Sequence, residues 1–137
     1  MTMEATTLVD VDPRVVQRQR LFWAMWGIAH ILHLWLLHSG ALRSVPAWAT
    51  MVAALALVRW PGHRWLPAIL AVAQLTDVAY EAPEVADHWA LVAAANVVVL
   101  LLYAAGRRGP GLIDQAAPVF RTLVLIAYSA AALSKWN

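Results

Sequence analysis

Ser44-Val45-Pro46-Ala47-Trp48-Ala49-Thr50-Met51-Val52-Ala53-Ala54-Leu55-Ala56-Leu57-Val58-Arg59 is the stretch on which the fold turns. No charge interrupts it between Arg43 and Arg59, and its small and aliphatic residues suit a helix. A helix needs about 20 residues to cross a bilayer, with a usual range of roughly 17–25. Val45 to Val58 lies below that range. Arg59 can extend it by snorkelling and Trp60 by interfacial anchoring. The competing reading is a buried core helix in a soluble bundle, for which about 10–14 apolar residues suffice.

The rest of the chain repeats the pattern. Of 137 residues, 62% are apolar and 13% charged, against roughly a quarter charged in ordinary soluble domains. The charges gather in short clusters between apolar runs near 20–38, 45–60, 65–81, 88–106 and 118–135. This predicts an all-α integral membrane protein, a bundle of about five short transmembrane helices in the cell inner membrane. Residues 1–19 form a polar N-terminal arm, and 20–137 a single transmembrane domain with the lipid bilayer as partner. The arm has neither the short basic start nor the cleavage site of a signal peptide, so the first span is read as retained. With no cysteine, disulfide and thiolate chemistry are excluded.

The basic residues predict an orientation. Arg14, Arg18, Arg20, Arg59, Arg64, Arg107, Arg108 and Arg121 fall on one side, Arg43 and Lys135 on the other. The positive-inside rule then sets the N-terminus in the cytoplasm and the C-terminus outside. Asp77, Glu81, Glu84 and Asp87 crowd the loop between the third and fourth spans, which this topology faces outward. Most of the eight tryptophans lie near span ends, where an indole suits the headgroup boundary. Pro61-Gly62 and the segment Gly106 to Gly111 mark turns.

Polar groups within the apolar runs are the candidate functional residues, because ionisable groups there are costly. His30 and His33 are three apart and share a helix face. They are either a ligand or proton-handling pair, or two neutral histidines bonded to neighbouring helices. One helix face cannot supply both axial ligands of a haem, so haem is disfavoured. Gln74, Asp77 and Glu81 form one stripe. Asp77 is either a solvated helix end or a carboxylate lining a cavity. Glu84 and Asp87 suit the start of the fourth helix, where acids complement the dipole, better than a metal site with His88. Asn96 is read as a helix–helix hydrogen bond. Arg121, Tyr128 and Lys135 recur at heptad spacing on the last helix. Lys135, the lone lysine, either snorkels or, in an apolar pocket, has a depressed pKa and acts as a base.

Tyr128-Ser-Ala-Ala-Ala-Leu-Ser-Lys135-Trp136-Asn137 resembles a membrane-helix motif of the vitamin K-dependent gamma-carboxylase superfamily, whose bacterial members are called horizontally transferred transmembrane (HTTM) proteins. Ala86-Asp87-His88-Trp89-Ala90-Leu91 is similar to a second motif of that superfamily. The resemblance implies Lys135 as catalytic base and His88 as its partner in oxidising a reduced quinone with dioxygen; apart from it, the polar positions His30, His33, Asp77 and Tyr128 are the candidate cofactor-binding residues. Trp136 and Asp87 depart from the usual leucine and asparagine, and family members continue beyond the lysine motif. The expected function is thus a partial carboxylase or quinol-oxidising module. The alternative is a non-catalytic module that binds quinone, lipid or haem, or assembles with a second membrane protein or with its own copies. Nothing points to nucleic acid.

Overall fold

A computed structural model describes residues 12–37, 44–82, 87–107 and 110–134. These form five helices: α1 (Pro13–Leu32), α2 (Val45–Arg59), α3 (Leu66–Glu81), α4 (Asp87–Ala104) and α5 (Pro110–Ser134). A turn of π-helix, His33–Leu37, continues α1 without a break.

Local chemistry explains the ends. Asp12 caps α1 by accepting a hydrogen bond from the Arg14 amide at 2.8 Å, and Pro13 presets the first turn. Ser44 caps α2, its Oγ accepting from the Ala47 amide at 3.1 Å. Pro61 and Gly62 turn the chain into α3, whose first turn holds Pro67. Gly106, at φ +74°, ends α4 in the left-handed conformation that costs glycine least. Pro118 sits inside α5, where it removes one backbone hydrogen bond, and Thr122 Oγ1 donates to the Pro118 carbonyl at 3.0 Å.

Each helix packs on the next in sequence, and α5 also touches α1 lightly. The short connection between α2 and α3 makes them antiparallel neighbours. Gly27 sets the approach of α1 to α2. A Cβ there would lie 2.8 Å from Val58 Cγ2 and 2.9 Å from the Ala54 carbonyl oxygen. Two apolar clusters form the core. One gathers Trp23, Ala54, Leu57, Leu70, Val99 and Leu112, and the other Leu34, Ala47, Met51 and Trp89. At the far side of the first cluster, the Tyr103 hydroxyl donates to the Arg64 carbonyl and fastens α4 to the α2–α3 turn.

The expected five-span transmembrane bundle in the inner membrane, with its N-terminus in and C-terminus out, is corrected. Among the described residues no helix is long and apolar enough to cross a membrane. At about 1.5 Å per residue, the 15 residues of α2 reach about 22 Å and the 16 of α3 about 24 Å, short of a hydrocarbon core of about 30 Å. The first two turns of α1 carry Arg14, Gln17, Arg18, Gln19 and Arg20. α4 opens on Asp87 and His88, and Asp114, Gln115, Pro118 and Arg121 break the apolar run of α5. Two of the tryptophans depart from the belt reading. Trp23 and Trp89 are buried in the core, whereas Trp35, Trp48, Trp60 and Trp65 are exposed.

Candidate functional site: a polar layer between two apolar cores

His30 of α1, Thr50 of α2, Gln74 of α3 and Asn96 of α4 are all buried. Along α1, α3 and α4 the polar residue falls between the part that packs on the first apolar cluster and the part that packs on the second, while Thr50 of α2 lies among residues of the second, between Ala47 and Met51. They form a layer across four helices. Thr50 is satisfied within its own helix, its hydroxyl donating to the Pro46 carbonyl at 3.0 Å. The other three are joined through Asn96. Its Nδ2 donates to Gln74 Oε1 at 3.1 Å and lies 3.3 Å from His30 Nε2, while its Oδ1 accepts from Trp26 Nε1 at 3.3 Å. Gln74 Nε2 then donates to the Trp89 carbonyl at 3.3 Å.

One assignment of protons satisfies this network. His30 Nδ1 lies 2.8 Å from the Trp26 carbonyl, which can only accept, so Nδ1 carries the proton. Nε2 is then bare and accepts from Asn96. Burial pushes the His30 pKa down from 6.5 to about 4, against the raising effect of the Trp26 carbonyl. The imidazole is therefore neutral at pH 7.

Asp77 and His33 extend the layer toward the second apolar cluster. Trp89 Nε1 donates to Asp77 Oδ2 at 3.4 Å. His33 stacks on the Trp89 ring, with centroids 3.9 Å apart and planes 8° apart, and His30 meets the same ring edge-on at 5.5 Å. Trp89 thus touches His30 of α1, His33 of the π-helical turn and the buried Asp77 side chain of α3. Trp26, in turn, stacks on Phe120 of α5 at 5.5 Å.

The structure therefore brings together His30, His33 and Asp77 with Gln74 and Asn96, whose expected helix–helix hydrogen bond it shows, and it adds Trp26 and Trp89 as partners. Tyr128 stands apart, exposed on α5. His88 lies in the first turn of α4, beside Trp89, but its side chain is outside the described part of the structure, and Lys135 is outside the described residues. Their expected proximity therefore lies outside it too. Of the expected polar stripe, Gln74 and Asp77 are buried and Glu81 is partly so at the helix end. Trp26 continues the stripe of His30 and His33, but its indole and that of Trp89 are not expected as partners, because tryptophan near a helix end suggests an interface. The available signal was spacing: Trp26 is four residues before His30, on the same face.

Chemically, His30, Thr50, Gln74 and Asn96 are neutral, hydrogen-bonded groups. Among the described residues no group of three His, Cys, Asp or Glu side chains is placed to hold a metal ion. Comparison with family models, with curated proteins and with solved structures finds no match.

Proposed function

We propose that the chain is a non-catalytic helical module that works by assembling with another protein chain through its apolar outer faces. The supporting observation is the distribution of side chains. The buried amides and His30 bond to one another, while Leu21, Met25, Trp35, Val45, Trp48, Val52, Leu55, Ile69, Val72, Leu125 and Ile126 are exposed. Monomeric proteins rarely leave contiguous apolar patches larger than a few hundred Å² uncovered, so such a surface marks an interaction site. The polar layer has a different role in this reading. Apolar contacts between helices rich in alanine and leucine are non-directional, and a bonded amide fixes how the helices are rotated and staggered. The test is the mass of the full chain in its native setting, by cross-linking in intact cells. A discrete higher-mass species is expected, and a chain that stays at 15.1 kDa throughout would overturn the reading.

One observation favours a second reading, the quinol oxidation implied by the resemblance. Buried Asp77 accepts a hydrogen bond from the indole of Trp89, a residue of the Ala86–Leu91 segment that carries the resemblance. In this reading Lys135 is the base and a reduced quinone the substrate. Oxygen-dependent quinol oxidation that disappears in both Lys135→Ala and His88→Ala would support it. Activity surviving Lys135→Ala would remove it.

A further inference from the structure

We infer that the arginine-rich end of the bundle docks on an anionic phospholipid surface, with Trp60 and Trp65 seated among the headgroups. The inference adds a partner that the assembly reading does not contain, and it stands or falls separately. It concerns the surface of one leaflet and asks no helix to cross it.

Three segments meet at this end. α1 begins there, α2 turns into α3 there, and α4 ends there. Two contacts hold them together. Arg20 of α1 lies over the α2–α3 turn, its Nε 3.2 Å from the place a Cβ on Gly62 would occupy. The Tyr103 hydroxyl of α4 donates to the Arg64 carbonyl of the same turn. Arg14, Arg18, Arg20, Arg59, Arg64 and Arg107 are thereby gathered, and all of them are exposed. The carboxylates described at this end are those of Asp12, which caps α1, and Asp114. Toward the opposite end lie Asp77, Glu81 and Asp87, with no arginine or lysine there among the described residues. The fold thus sorts its charge along the bundle axis, and a negative surface attracts and orients such a molecule from a distance.

The α2–α3 turn sets the chemistry of the contact. Trp60 and Trp65 flank its Pro61-Gly62 and are 56% and 39% exposed. An exposed indole suits the headgroup boundary, where its ring body is sheltered and its N–H stays wet. Guanidinium groups beside it bind phosphate oxygens in a fork.

Single-stranded nucleic acid also binds arginine and tryptophan, but it stacks its bases on open ring faces. Here the Arg59 guanidinium lies over the Trp60 ring, 5.4 Å from its centroid, and that of Arg64 over the Trp65 ring at 5.6 Å. Trp65 also meets the Tyr103 ring at 6.1 Å. Neither indole is therefore an open platform. The arginines, moreover, are spread over three segments as a patch rather than a row, and a leaflet presents its phosphates as a sheet.

Flotation of the full chain with lipid vesicles tests the inference. Vesicles containing phosphatidylglycerol should bind it and pure phosphatidylcholine vesicles should not, and added salt should weaken the binding. One arginine near such a surface strengthens binding about fivefold, so Arg59→Gln with Arg64→Gln should weaken it about 25-fold at unchanged helical circular dichroism. Arg121→Gln removes an exposed arginine about 16 Å along α5 from Pro110 and should leave binding unchanged. Equal binding to the two kinds of vesicle, or an equal loss in Arg121→Gln, would overturn the inference. Capture of a single-stranded oligonucleotide in place of the vesicles would overturn it in favour of nucleic acid. The indoles have their own readout. Phosphatidylglycerol vesicles with brominated acyl chains should quench part of the tryptophan fluorescence, and Trp60→Phe with Trp65→Phe should remove that quenching. Quenching that persists in the double variant overturns the seating of these two rings.

Discussion

Asn96 donates from one nitrogen to two acceptors, and its oxygen accepts from an indole. That division of roles requires a neutral His30. If His30 gained a second proton, two donors would face each other at Nε2, and Asn96 would have to turn over, placing its oxygen against the Gln74 oxygen. Stability should therefore depend on acid. A histidine held near pKa 4 when folded and near 6.5 when unfolded makes the unfolded chain bind more protons between those values. Stability is then fully present above pH 6.5 and falls by about 3 kcal/mol as pH drops through 6.5 to 4. Denaturant unfolding at a series of pH values should show this slope, and His30→Phe should remove it. Asn96→Asp makes the complementary prediction. A carboxylate against Nε2 favours the imidazolium, so the His30 titration should move upward, read from the imidazole resonances by NMR. An unmoved titration would contradict the contact.

At the scale of the helices, Gly27 and Ser44 are the positions where single atoms matter. Gly27→Ala forces a methyl into the Ala54 backbone oxygen, which cannot retreat like a side-chain end. It should lower stability by about 1–3 kcal/mol in denaturant unfolding, as overpacking does. Ser44→Ala removes the α2 cap and should cost about 1 kcal/mol by the same measurement. The helices themselves were largely legible. The runs at 45–60, 65–81 and 88–106 fall within two residues of α2, α3 and α4. The outer two were read short. α1 starts at Pro13 because Asp12 caps it, although the arm looked polar throughout. α5 starts at Pro110 because Asp114, Gln115 and Pro118 are tolerated on an exposed side of the helix. What apolar composition could not convey was reach. It suggested spans, but hydrophobicity in short segments with polar ends does not by itself make a helix that crosses a membrane.

Across the whole molecule, the polar layer divides the interior into two apolar compartments. The polar part of the candidate site was legible, because His30, His33, Gln74, Asp77 and Asn96 are polar residues in apolar surroundings and such residues need partners. Their partners were less so: Trp26 shares a helix face with His30 four residues on, but Trp89 reaches the layer from another helix through its ring face and indole N–H, which no short-range spacing announces. The layer has a consequence for the order in which the chain folds. Its bonds from Asn96 to His30 and Trp26 join residues 66 and 70 positions apart, whereas α2 and α3 meet across a short turn. Closing the longer loop costs more chain entropy and comes later. The hairpin of α2 and α3 is then a nucleus, and the docking of α1 onto α4 a late event. Asn96→Leu should accordingly speed unfolding while leaving the refolding rate almost unchanged, a chevron with only its right arm raised.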